Sequence, residues 1–191
     1  MNPYDTAAAL DLQPLPDEVV TLLNDHHAPP RLIAHLIVVH HIANQLVSAV
    51  RRTWPSLSFD PYLVQMGAAL HDVGKLAYPS ELVSDGDYHE QAGYDLLVSA
   101  GIDPDIARFA ITHSGRGSQS KLRLEDMLVA LADKCWRGDR DRSIEDMLCH
   151  RISTDLSRPS WEVFSELDTI LTSITEQSAK LLAWQSLYPP E

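Results

Sequence analysis

Four places in this 191-residue chain put ionisable side chains where apolar ones belong. His35 lies on the helical stripe of Leu32, Leu36 and Val39, and His71-Asp72 closes the run MGAAL. His113 follows Phe109 and Ala110 by four and three positions, and Asp133 sits inside MLVALAD, four after Val129 and three before Trp136. A buried carboxylate costs several kcal/mol unless something offsets it. Two of them, with several histidines, imply a shared partner of opposite charge, either Lys and Arg or a metal ion. Taken singly, each has a plainer explanation. A lone histidine on an apolar face is more often a hydrogen-bonded core residue than a ligand, and His40 and His41 are read as structural or surface residues. His26-His27 falls at a helix end, where an imidazolium suits the dipole. His150 sits on an ordinary amphipathic helix, and Cys135 is a small core residue without a CxxC partner. The joint pattern is what such explanations leave over.

Helices must position these residues. Asp17-Glu18 opens a short one over Val19, Val20, Leu22 and Leu23, and Pro29-Pro30 breaks it. Apolar residues at three-and-four spacing predict one long helix over 31 to about 52, ended by Trp54-Pro55. Asp60-Pro61, a cap followed by a first-turn proline, starts the next, which runs through HDVG and stops near Gly74. Further helices are expected over 89–100, from Asp103-Pro104 to near His113, over 125–136 and over 143–156. A long last helix opens at Ser160, with Phe164, Leu167, Leu171, Ile174, Leu181 and Leu182 on one stripe. The stretch SGRGSQSK after His113 is a loop by composition. Residues 1–16, interrupted by Pro3, Pro14 and Pro16, read as an extended arm. Strand signals are nearly absent. The expected fold is all-α: a helical domain over 17–142, with the helices of 143–191 packing on it as a C-terminal extension.

Composition narrows the function classes. A formal net charge of −12 argues against general nucleic-acid binding, which needs a surplus of Lys and Arg. Two cysteines, Cys135 and Cys149, cannot build a disulfide framework, so a reducing compartment is the default. The first residues lack the basic and apolar regions of a secretory signal. No uninterrupted apolar run approaches the roughly 18 residues that span a bilayer. The expectation is a cytoplasmic protein without membrane attachment, its oligomeric state open.

The ordered set His35, His71-Asp72, Asp133 resembles the HD-domain superfamily of metal-dependent phosphohydrolases. HDVGK (71–75) is similar to the HDIGK form of bacterial members, including the cyclic-dinucleotide phosphodiesterase branch. The segment HEQAGYDLLVSAGIDPDIARFAITH (89–113) resembles their HPxxGAxxL…I…HH stretch, and ALADK (130–134) matches the late helix that returns the last ligand. Carried over position by position, the resemblance implies that His35, His71, Asp72 and Asp133 hold one metal, and that Asp72 bridges to a second held by His89 and His113. His40 is the rival for the first position, but the spacing of Val and Ala after His35 fits the family better. Two departures stand out. The doubled histidine is here His113-Ser114, one imidazole fewer, and SGRGSQSK replaces the GYP loop of the cyclic-dinucleotide branch, so that substrate is not carried over.

A ligand set of oxygen and imidazole without cysteine suits Mn, Fe, Co, Ni or Mg better than structural zinc, with one or two ions per chain. In the implied chemistry Asp72 orients the attacking water as well as ligating, and Lys75, one turn beyond His71, is a phosphate contact unless it is merely a surface lysine. Residues 113–142 hold seven Lys/Arg and five Asp/Glu in an otherwise acidic chain, which favours an anionic ligand. Arg116 and Lys121 are the candidates to close over a phosphate. Arg140 and Arg142, interleaved with Asp139 and Asp141, read as a self-paired surface turn. The expected function is metal-dependent hydrolysis of a phosphate ester of a nucleotide or nucleotide-like small molecule. The alternatives are a non-catalytic HD domain that senses a nucleotide or protein, and a di-iron oxygenase on the same scaffold.

Overall fold

The computed structural model describes residues 1–114 and 122–190. Among these there are eleven α-helices, two short 3-10 turns and no strand, so the all-α expectation holds. Three helices make the centre. α3 (Pro30–Thr53), α4 (Pro61–Leu70) and α8 (Leu124–Cys135) each pack on the other two. Leu32, Leu36 and Leu46 of α3, Leu70 of α4 and Leu128 and Leu131 of α8 are fully buried, each adding about 1.5–3 kcal/mol of transfer free energy. α3 is long and apolar enough to cross a membrane by length and composition, but 78% of its most apolar 18 residues are buried inside the protein. The uninterrupted-run criterion missed this because His35, His40 and His41 divide the apolar stretch.

α4 begins as expected, with Asp60 Oδ1 accepting from the Tyr62 backbone N–H at 2.9 Å and Pro61 in the first turn. It ends at Leu70 rather than running to Gly74. Asp72, at φ −107° and ψ 9°, turns the chain into a 3-10 turn, Val73–Leu76, closed by Lys75 N–H donating to Asp72 O at 3.0 Å. This tightening lets the next helix, α5 (Tyr88–Ser99), lie directly against the turn. A Cβ on Gly74 would sit 1.9 Å from the His89 carbonyl oxygen, so only glycine permits the approach.

Three further expectations need correction. Residues 1–16 are not all extended: α1 (Pro3–Ala8) forms because Pro3 occupies the first helical turn and Asn2 Oδ1 caps the Tyr4 N–H at 3.0 Å. Thr6 Oγ1 bonds the Tyr188 hydroxyl and accepts from Trp184 Nε1 at 3.1 Å, which ties this helix to the C-terminal segment. The helix before His113 is broken into α6 (Pro104–Ala107) and α7 (Phe109–Thr112) at Arg108, whose Nη1 donates to Asp126 Oδ1 at 2.5 Å. The last helix divides into α10 (Ser160–Thr175) and α11 (Ser178–Gln185), because Gln177 turns inward and donates to Gln45 Oε1 of α3 at 2.5 Å. α2 (Asp17–Asp25) and α9 (Arg142–Leu156) fall where expected.

The Arg140 expectation also changes. Instead of pairing within its own turn, Arg140 holds the buried Glu145 through two bonds (2.6 and 2.9 Å) and Asp168 of α10 at 2.9 Å, and so pins α9 to α10. Arg142 approaches the same Glu145 at 3.6 Å, while Arg137 takes Asp139 at 2.6 Å. Asp126, 1% exposed, gathers a second knot: besides Arg108 it accepts from Thr112 Oγ1 at 2.6 Å and from the Arg123 backbone N–H at 2.7 Å.

Candidate metal centre

Each element of the central trio delivers a side chain to one point. His35 comes from the first turns of α3, His71 and Asp72 from the end of α4, and Asp133 from the last turn of α8. α5 adds His89 at its start and α7 adds His113 just past its end. Two trios result, His35–His71–Asp133 and Asp72–His89–His113, and within each the donor atoms lie within 4.8 Å of one another. Asp72 joins them. Its Oδ2 lies 3.0 Å from His35 Nε2 and 3.5 Å from His71 Nε2, while its Oδ1 lies 3.2 Å from His89 Nε2 and 3.5 Å from His113 Nε2. Asp133 Oδ1 stands 3.4 Å from His35 Nε2 and 3.6 Å from His71 Nε2. The six side chains that the sequence singled out as ligands therefore converge.

The hydrogen bonds around the rings set which nitrogen faces inward. His71 Nδ1 donates to Ala68 O at 3.0 Å and His113 Nδ1 to Phe109 O at 3.1 Å, since a carbonyl can only accept. Both rings, when neutral, then present an Nε2 lone pair to the centre. His89 Nδ1 bonds Glu81 Oε2 at 2.5 Å, with the same consequence. The centre thus collects lone pairs and carboxylate oxygens, and among the described residues the buried Asp72 Oδ1 has no hydrogen-bond partner. A donor set of this kind fits a divalent cation.

Charge within the metal-free cluster is correspondingly polarised. Burial opposes ionisation of Asp72, but His71, His35, His89 and Lys75 outweigh it and hold the carboxyl well below its usual range. Asp133 behaves likewise beside His35 and His71. Burial opposes the imidazolium at His35, yet bonding to Asp133 and Asp72 raises its pKa. At His113 burial wins, and the pKa is pushed down to about 4.

Lys75 Nζ reaches Asp72 Oδ2 at 2.6 Å, so the surface-lysine alternative gives way to a cation at the centre. Arg116 and Lys121 lie outside the described residues. His40 faces elsewhere: its Nδ1 donates to Gln65 O at 3.1 Å and its Nε2 accepts from Asn44 Nδ2 at 3.1 Å. His41 accepts from Gln13 N–H at 3.2 Å and meets Gln177 Oε1 at 3.3 Å, a structural role. Sequence reasoning missed Glu81, which sits in a 3-10 turn (Pro79–Leu82) with no periodicity to expose it. The only signal was a carboxylate eight residues before a candidate ligand. It also missed Trp136, whose ring packs edge-on against His35 at a centroid distance of 5.6 Å.

The cluster opens into a cavity of about 530 Å³ lined by His35, Asp72, Lys75, His89, His113 and Asp133 among others. A larger cavity of about 650 Å³ lies between α3 and α10 around His41, Gln45 and Arg52, and none of the six converging side chains lines it. The converging side chains therefore belong to the smaller one.

The HD domain family model matches residues 32–138, a span that begins just before His35 and ends just after Asp133 and Trp136. The chain belongs to the HD-domain family. This is a family of metal-dependent phosphohydrolases, and the matched span of the HD domain contains all six converging side chains. No curated protein and no solved structure matches the chain.

Proposed function

We propose that this HD domain is a metal-dependent phosphohydrolase that cleaves a phosphate ester of a nucleotide or nucleotide-like small molecule in the cytoplasm. The observation that carries the reading is the bridging position of Asp72, with one carboxylate oxygen turned to each histidine pair and Oδ1 left without a hydrogen-bond donor among the described residues. His35, His71, Asp72 and Asp133 would hold one ion, and Asp72, His89 and His113 a second. A divalent ion at such a site polarises a phosphoryl oxygen and lowers the pKa of a water towards neutrality.

The chain's own groups do the rest. Ala68 O and Phe109 O keep the His71 and His113 rings in one tautomer and orientation, so neither competes as a proton donor at Nε2. Asp72 orients the attacking water through a carboxylate kept ionised by its neighbours. Lys75 Nζ brings positive charge to within 2.6 Å of that carboxylate, where it can move onto an incoming phosphoryl oxygen. Arg116 and Lys121, directly after the helix that ends at His113, are proposed as further substrate contacts.

The test is phosphate release from a panel of nucleotides and simple phosphate esters, with Mn, Mg, Co or Ni added. Turnover that disappears in Asp72→Ala supports the reading. Metal bound with no phosphate released from any member points to a sensor, and oxygen consumption by the iron-loaded protein points to an oxygenase.

A further inference from the structure

Among the described residues four Lys and Arg side chains line the cavity at the cluster, and three already have a carboxylate. Lys75 reaches Asp72 at 2.6 Å, Lys134 reaches Asp133 at 3.4 Å, and Arg137 holds Asp139 at 2.6 Å. Arg31 differs. Its Nη1 donates to two uncharged acceptors, Gln185 O at 3.1 Å and Tyr188 O at 3.5 Å, and no carboxylate among the described residues pairs with it. Its Nε and Nη2 make no hydrogen bond among the described residues and are not sealed from solvent. An arginine held through one nitrogen by backbone carbonyls, with its remaining donors unpaired among the described residues at the wall of a cavity, suits a bidentate anion.

Its position says which anion. Arg31 precedes His35 by four residues on α3, so the two lie on one face, about 6 Å apart along the axis. Arg31 therefore stands one helical turn to the side of the carboxylate and imidazole cluster, at the wall that Gln185 also lines. A phosphoryl group at the cluster is served by Lys75, and Arg31 faces whatever adjoins it.

We propose that Arg31 selects substrates that carry a second anionic group, a phosphate or a carboxylate, next to the phosphoryl group that reacts. The substrate class is a doubly anionic small molecule such as a nucleoside diphosphate or a phosphorylated carboxylic acid. This rests on the phosphohydrolase reading of the same cavity.

Calorimetric titration of the Mn-loaded protein tests it, with blank titrations into Mn alone. The probes are orthophosphate, 2-phosphoglycolate for the carboxylate and imidodiphosphate for the second phosphate. At least one double anion should bind about tenfold or more tightly than orthophosphate, and the preferred one identifies the second group. Arg31→Gln should bring the double anions down to the orthophosphate level, with orthophosphate affinity and Mn content unchanged. Arg31→Lys, which keeps the charge and loses the fork, should retain only part of the preference, and carries the test should Arg31→Gln fail to fold. Orthophosphate binding without any preference in the parent protein, or a preference that survives in both variants, overturns the role of Arg31 and leaves the phosphohydrolase reading standing. No binding of any of the three anions overturns both.

Discussion

Glu81 receives both N–H groups of His89, the ring Nδ1 at 2.5 Å and the backbone N at 3.2 Å, with a single carboxylate oxygen. The pair fixes the imidazole about its side-chain bonds and anchors the start of α5 at once. Outer carboxylates of this kind typically contribute 10–100-fold to metal affinity. Glu81→Ala should therefore weaken binding of the second ion by about that factor while the first is retained. Competition with a chelator of graded strength, read as metal per chain, checks it; equal loss of both ions would show that Glu81 supports the whole centre.

Protein never exposed to chelator should contain about one or two divalent ions per chain, because the inward lone pairs and the two low-pKa carboxylates have no better partner. An ion present at about a hundred times its Kd adds about 2.7 kcal/mol, which for a chain of this length is a Tm rise of about 5–10 °C. Elemental analysis and melting curves before and after chelation measure it. No metal by analysis, together with no rise on adding Mn or Ni, would mean that the cluster is not a metal site.

The two trios should separate by mutation. Asp72 touches both sides, so Asp72→Ala should abolish metal retention and hydrolysis together. His89→Ala and His113→Ala each remove one nitrogen from a single trio and should lower turnover while one ion remains. Metal content and phosphate release, measured on the same samples, decide it. Equal metal loss in all three variants would refute the division into two sites.

Acid should destabilise the metal-free protein through its buried neutral histidines. Burial lowers His40 and His41 from the ordinary 6.5, so the unfolded chain binds protons that the folded chain refuses. Their contribution is fully present above pH 6.5 and is lost as pH falls towards their folded values. His35 and His89 have the opposite sign: burial opposes protonation, but the carboxylates raise both, so their contribution is present below 6.5 and lost as pH rises through the folded values. His40 isolates the first sign, because it lies away from the carboxylate cluster and its bonds to Gln65, Asn44 and the Pro14 backbone involve no ionised group. In urea unfolding, His40→Gln should lose less stability between about pH 7 and about pH 5 than the parent does. Parallel losses would show that His40 does not titrate on unfolding.

His35, His71, Asp72, His113 and Asp133 stood out beforehand because they interrupt or end apolar helical stripes, where an ionisable group carries an energetic penalty that begs a reason, whereas His89 and the convergence of all six came from the family resemblance. The choice between His35 and His40 rested on the fit of the Val and Ala after His35 to the family's pattern, and the structure turns His40 to Gln65. What escaped detection lacks a period. Glu81 lies in a 3-10 turn, and Asp126 resembles any first-turn acid of a helix although it is buried against Arg108 and Thr112. The break at Gln177 was invisible because the stripe from Leu171 to Leu181 continues across it, and only the distant partner Gln45 explains the turn. Pro3 misled in the other direction, since a proline ends a helix from within but suits its first turn.

Asp126 grips Thr112 on one side of residues 115–121 and Arg123 on the other. Both ends of that stretch are thus moored to one carboxylate, independently of what lies between. The relative placement of His113 and α8 is therefore held from outside that segment, by a carboxylate buried in the core. For an engineer, Asp126 is accordingly the residue to leave alone.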